Sequence, residues 1–323
     1  MKKKTVYIWM GTIVALTIAL FAAISVFNLD RTVKPMMAAA NPTGEVDFRH
    51  TIYGSFETPL TKPMDVAKIG EFVYVSDTGN KQVQAFDLSG TPIFQFGSAG
   101  DKEGEFQFPY GIAGDEDGNV YVADLYNSNI SVFDQKGNFL RYFTEKDSQN
   151  QVITSPGGLR IYDDILYVTD IQKHKVFVFD LEGNKLIEIG EPGSGDGQFV
   201  APNNVALDKD KNIYVSDSGN NRVQIFDKDG KFVKIINGSS DGKGQSIFIN
   251  PRGIGVDGKG NLFVVSNITH NVYVFDKDGN QETVFGGMGT EDNQFYLPNG
   301  LFIDDRGTVY VTDTVNQRVT VLY

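Results

Sequence analysis

Few side chains in this chain are suited to chemistry. Three histidines, no cysteine and one tryptophan stand among 323 residues. Without cysteine there are no disulfides, thiol nucleophiles or cysteine-ligated zinc. His174 and His270 share one position in a repeated segment, four residues past a recurring acid or serine. Other copies carry Lys81, Ser128, Asn221 and Gln317 there. A shared loop position reads as a consensus of the repeat, and it does not bring imidazoles together on a metal. Asp115-Glu116-Asp117-Gly118 and Asp227-Lys228-Asp229-Gly230 imitate calcium loops. They lack the glutamate at the twelfth position and the flanking helices, and read as hairpin turns. The glycine-rich stretches 190–197, 238–244 and 286–289 are followed by no G-K-[ST], so they are connections and not phosphate loops. No G-x-S-x-G elbow sets a serine beside a histidine base. The sequence therefore leads to no catalytic residues, no metal and no cofactor.

The elements that must position any site are set by a repeat. A proline recurs at Pro63, Pro109, Pro156, Pro202, Pro251 and Pro298, at spacings of 46, 47, 46, 49 and 47 residues. After each comes an aromatic run, Y-V-x-D in five copies and F-V-V-S in the fifth. An apolar alternating stretch and an F-D-x-x-G turn follow in the first five copies. Alternation with β-branched and aromatic residues signals strands, and glycine in a tight turn signals a hairpin. Four short antiparallel strands repeated every 40–50 residues are the blades of a propeller. The expected fold is therefore all-β, a six-bladed β-propeller over residues 46–323. The sixth copy stops at Tyr323 with no fourth strand, while Phe48 to Gly54 resembles a spare one, with His50 on it. The N-terminal strand is expected to complete the last blade and close the ring, which protects an open sheet edge.

These residues resemble the NHL repeat, most clearly in Pro202 to Gly230 (PNNVALDKDKNIYVSDSGNNRVQIFDKDG). The resemblance covers residues 46 to 323 and implies a propeller. By the same resemblance, NHL propellers serve as binding platforms in most members and as lyases in a few, and related propellers are lactonases. The lyases need several histidines converging on zinc in the central channel, which two histidines in a shared loop slot and one at the rim do not supply. The fifth repeat departs furthest, with Phe263 for tyrosine and Ser266 for aspartate.

Two sets of residues stand out within the repeat. Asp77, Asp124, Asp170, Asp217 and Asp313 end the second strand of five blades, where an aspartate can accept backbone N–H groups and hold a loop. Their repetition predicts a role in the fold. The residues just after each proline differ from blade to blade and are expected at the mouth of the central channel, on the face carrying the longer loops. Asp65, Tyr110, Asn203, Asn204, Arg252 and Asn299 are the candidates there for a peptide, sugar or anionic ligand. A water-filled channel without ligand is the alternative, and so is a metal held by Asp65, Asn203, Asn204 or Asn299. Arg252 is the only base among these pairs and is expected to anchor a carboxylate or to pair with an acid across the channel.

Residues 6–27 form an uncharged run of 22, about 33 Å long as a helix, which matches a bilayer core. Lys2 to Lys4 precede it. The expectation is a basic cytoplasmic tail (1–5), a transmembrane signal-anchor (6–27), a linker (28–45) and a propeller outside the cell membrane, or a secreted propeller if the run is a cleaved signal. Gly11, Ala15, Ala19 and Ala23 share a helical stripe suited to self-association of such helices. From residue 46 onward the chain holds 24 bases against 39 acids, a net charge of −15 that opposes nucleic-acid binding. The expected function is a membrane-tethered binding or scaffolding module for a protein, peptide or carbohydrate. A propeller enzyme (lactonase-like hydrolase or lyase) with a channel metal is the alternative, and a structural envelope protein is the third reading.

Overall fold

The computed structural model describes residues 46–143 and 152–323. The run expected to cross a membrane lies outside the described residues. Among those described, no helix is long and apolar enough to span a bilayer.

Each repeat forms one four-stranded antiparallel sheet. Blade 1 comprises Pro63–Ile69, Phe72–Asp77, Gln82–Phe86 and Pro92–Phe96, paired in that order. Blades 2 to 5 repeat the pattern from inner strands Pro109–Gly114, Pro156–Tyr162, Pro202–Leu207 and Pro251–Val256. Blade 6 holds Pro298–Ile303, Val309–Asp313 and Arg318–Leu322, and its outermost strand is Phe48–Ile52. That strand pairs antiparallel with Arg318–Leu322, with Ile52 opposite Val319 and Phe48 opposite Leu322. The ring is thus closed by the N-terminal strand, which covers the edge that Arg318–Leu322 would otherwise expose and gives the last blade its fourth strand.

A blade alone buries neither face, so the core is divided among the gaps between blades. Among the described residues six apolar clusters form, and each draws on two neighbouring blades. The residue three before each proline fills one gap: Leu60, Phe106, Ile153, Phe199, Phe248 and Phe295 are each at most 1% exposed. The middle strands are buried on both faces, which explains a departure from simple alternation. Buried Gln84 and Gln224 turn their carboxamides onto Asp77 and Asp217, at 2.8 and 3.1 Å.

The same irregularity opens every inner strand. Pairing with the second strand slips between the proline and the residue three after it in all six blades. Such a bulge re-aims the two intervening side chains. Glycine holds the second of these positions in four blades because the inner strands crowd there. A Cβ on Gly111 would come within 2.2 Å of the Gly157 carbonyl oxygen, and one on Gly253 within 2.5 Å of the Asn299 oxygen.

Candidate ligand-binding channel and long-loop face

The bulges bring the first post-proline side chains of four blades together across the channel. Tyr110 of blade 2 is the hub. Its hydroxyl accepts from Arg252 Nη1 of blade 5 at 2.8 Å and from Asn203 Nδ2 of blade 4 at 2.8 Å. Its single proton has two acceptors within reach, Asn203 Oδ1 at 3.1 Å and Asn299 Oδ1 at 3.3 Å. Tyr110, Asn203 and Asn299 are buried, and Arg252 is half-buried with a buried Nε that has no partner. Of the two roles expected of Arg252, the acid pairing is not what the geometry holds: its guanidinium meets a phenol. An aromatic column links this layer to the surface, since Tyr110 stacks on Phe108 at 6.1 Å and Phe108 meets exposed Tyr126 at 4.8 Å.

Asp65 and Asn204 stand apart from the hub. Each occupies space left by a glycine of the adjacent blade. A Cβ on Gly300 would lie 2.5 Å from Asp65 Oδ1, and one on Gly158 would lie 2.6 Å from Asn204 Oδ1. Asn204 Oδ1 accepts from the Val205 amide at 2.8 Å. Asp65 Oδ2 accepts from the Ile112 amide at 3.3 Å, whereas its Oδ1 is buried without a partner. Burial pushes the Asp65 carboxyl up to about 7, against a smaller opposing pull from Arg160.

Arg160 is the channel residue that the sequence reading passed over. The slot four after each proline holds Ala67, Ala113, Ala206 and Gly255 in blades 1, 2, 4 and 5. Those small residues leave room for Arg160 of blade 3 to cross to blade 6. There its Nη2 lies 3.5 Å from the Leu301 carbonyl and its guanidinium 5.2 Å from the centre of the Phe302 ring. A base breaking a run of alanines was the available signal.

The five repeated acids are fully buried and sit away from the channel mouth. Each accepts the amide two residues before the proline of its own blade: Asp77 from Thr61 at 2.7 Å, Asp124 from Gln107 at 2.6 Å, Asp170 from Thr154 at 2.6 Å, Asp217 from Val200 at 2.8 Å and Asp313 from Tyr296 at 2.7 Å. Ser266 takes the same amide in blade 5, from Ile249 at 2.9 Å. Asp217 and Asp313 also accept from Arg222 and Arg318, at 2.8 and 2.9 Å.

The histidine slot is a second staple. All six of its residues have φ between 54° and 60°, the left-handed region. His174 Nδ1 accepts from the Ala201 amide at 2.9 Å and His270 Nδ1 from the Leu297 amide at 3.0 Å, while Asn221 Oδ1 accepts from Asn250 in the same way at 2.8 Å. His50 lies on the closing strand with its Nε2 buried and unpartnered, and its pKa is lowered by burial. Among the described residues no group of three or more His, Asp or Glu is arranged to hold a metal.

The two faces of the disc differ. The turns within each inner and outer hairpin share one face, and the inter-blade loops and the loops after the repeated acids share the other. Among the described residues fourteen large apolar side chains are exposed; nine lie on the long loops, four on outermost strands, and Tyr323 follows the last strand. On the long-loop face they are concentrated over blades 4 to 6. Ile268 donates its amide to the Ile249 carbonyl at 3.4 Å and Val315 to the Tyr296 carbonyl at 3.1 Å, so each blade presents an adjacent apolar pair. Val200 and Met288 extend the patch, and blades 1 and 3 carry Thr61 and Thr154 where blades 5 and 6 have Ile249 and Tyr296. The loops 190–201, 237–250 and 286–297 that border it expose Glu191, Asp196, Asp241, Glu291 and Asp292 against a single lysine, Lys243.

Comparison with known proteins agrees with this architecture. Residues 295–322 match the NHL repeat, and residues 144–213 match a family described as a 6-bladed beta-propeller. The chain is 47% identical over 47 residues to protein lin-41 of Caenorhabditis elegans, which is 15% of this chain and 4% of that protein. It is 34% identical over 100 residues to E3 ubiquitin-protein ligase NHLRC1 of Homo sapiens, 30% of this chain and 25% of that protein. The chain therefore spans a quarter or less of the length of these relatives. A gluconolactonase of Xanthomonas campestris superposes with a TM-score of 0.59 at 16% identity, over 88% of this chain and 98% of that one. That likeness is one of fold. The chain forms a six-bladed propeller of four-stranded antiparallel blades, and one segment of its sixth blade, residues 295–322, matches the NHL repeat.

Proposed function

We propose that this propeller is a membrane-tethered, extracytoplasmic binding module whose long-loop face docks a protein or peptide. The observation that carries the reading is the asymmetry of the disc: the apolar pairs of blades 5 and 6 lie together on one face, bordered by five exposed acids and one lysine. Scattered apolar side chains are normal on a surface, but a contiguous patch with a polar rim marks an interaction site. The sign of the rim selects the partner. A segment with one or two large apolar anchors and flanking Lys or Arg complements both parts, and the net charge of −15 beyond residue 45 steers such a segment inward. The tether rests on the uncharged run 6–27 behind three lysines.

The alternative is a channel enzyme using a metal. Asp65 Oδ1, buried and unpartnered, is the observation that favours it. Against it, Asn203 and Asn299 aim their oxygens at the Tyr110 hydroxyl. The test of the binding reading is selection of peptides from a random display library on the purified full chain. The selected sequences should combine a large apolar residue with two or more bases. Selection of acidic sequences, or of none above background, contradicts the reading. Stoichiometric metal that survives dialysis of the same preparation supports the enzyme instead.

A further inference from the structure

The far end of the channel, toward the short turns, opens into a cavity of about 210 Å³ lined by Lys68, Gly114, Arg160, Ile161 and Phe302. At roughly 30 Å³ per water it holds about seven waters, the size of a small organic acid with part of its hydration. Its charge is unusual for this molecule. Beyond residue 45 acids outnumber bases 39 to 24. Yet the two charged residues lining this cavity are both bases. Neither is closely paired. Among the described residues no carboxylate lies within 4.0 Å of Arg160, and Lys68 Nζ is 3.9 Å from Asp305, whose side chain is 80% exposed.

The cations are also oriented. The guanidinium of Arg160 lies over Phe302, and Nη2 is only at the limit of a hydrogen bond to the Leu301 carbonyl, at 3.5 Å. Its donors are therefore poorly satisfied by the protein. Burial works against its charge, which an anion would relieve. Asp65 attracts the guanidinium through the channel but makes no contact with it within 4.0 Å, so the forked donors stay open to a ligand.

We infer that this cavity binds a small monocarboxylate, its two oxygens on Arg160 with Lys68 alongside and its short alkyl part against Phe302 and Ile161. A planar guanidinium matches a carboxylate through two parallel hydrogen bonds, and the apolar wall suits a short chain better than a fully hydrated inorganic anion. The site lies on the channel axis, separate from the apolar arc of the other face, so it stands whether or not the docking reading holds.

Isothermal titration of the purified full chain with propionate tests it, with inorganic phosphate and propylammonium as separate arms. One propionate per chain should bind. Arg160→Gln should weaken it at least tenfold, and Arg160→Lys several-fold through loss of the fork. Lys259→Gln, on a distant short turn, should leave affinity unchanged. On the unaltered chain, propionate methyl protons should show a transferred Overhauser contact to an aromatic ring that is lost in Phe302→Leu. That measurement decides the matter even where Arg160→Gln fails to fold. No binding of propionate at concentrations up to about 0.1 M, a hundred times a millimolar Kd, overturns the site. So does undiminished affinity in a folded Arg160→Gln. Phosphate bound in preference to propionate overturns the carboxylate assignment, and propylammonium binding overturns the sign of the cavity.

Discussion

At the scale of single residues, burial decides which polar groups serve the fold. Asp217 gathers the Val200 amide, Asn220, Arg222 and Gln224 around one buried carboxylate. Asp217→Ala takes the carboxylate from a buried guanidinium, whose Nε loses its acceptor while Nη2 keeps the Gly195 and Gln198 carbonyls, and leaves the Val200 amide unpaired, so a loss of about 3–5 kcal/mol is expected in denaturant unfolding. Asp65 behaves in the opposite sense. Its carboxyl is raised from 3.8 to about 7 by burial, so the folded state holds the proton more tightly than the unfolded chain does. Its contribution to stability is full below about pH 4, falls as pH rises from about 4 to 7, and is flat above, with a total on the order of 4 kcal/mol. Asp65→Asn should remove this slope and raise stability at pH 8 by a few kcal/mol, read from denaturation midpoints at pH 5 and 8. A variant as pH-dependent as the parent places the slope elsewhere. The repeat made the five acids visible in the sequence as a set. The isolation of Asp65 Oδ1 was not visible, because it depends on Gly300 of another blade, 235 positions away.

At the scale of elements, the closing strand and the bulges carry the account. Removing residues 46–54 strips Ile52 from the gap between blades 6 and 1 and Phe48 from the gap between blades 5 and 6, and it exposes the edge of Arg318–Leu322. A loss of several kcal/mol in cooperative unfolding is expected, while removal of 28–40 should change stability little. Equal stability of the two truncations contradicts the closure seen here. The closing strand was legible because a missing strand at one end of the chain matched a spare strand at the other. The bulges were not. Their shift of register is a property of backbone pairing, and only through it do Tyr110, Asn203, Arg252 and Asn299 meet across the channel. The sequence placed these side chains at the mouth, free for a ligand; the fold gives them one another as partners. Gly300→Ala tests the crowding directly. Its Cβ would lie 2.6 Å from the Asp65 Cα and 2.7 Å from the Met64 oxygen, so a cost of about 1–3 kcal/mol is expected in the same unfolding assay.

At the scale of the whole molecule, a near-symmetric ring carries an asymmetric surface. The scaffold repeats, whereas among the described residues six of the nine exposed apolar side chains of the long-loop face lie over blades 4 to 6, and two bases line the opposite end of the channel. Periodicity makes the ring legible and hides this asymmetry, since Ile249, Ile268, Tyr296 and Val315 occupy loop positions that look interchangeable along the chain. The claim that the long-loop face is the docking surface is tested most directly by one affinity. A basic, apolar peptide selected on the full chain should bind Ile249→Asp/Ile268→Asp at least tenfold more weakly than the parent, with the unfolding midpoint unchanged because both side chains are about half exposed. Unchanged affinity in that double variant would contradict the account.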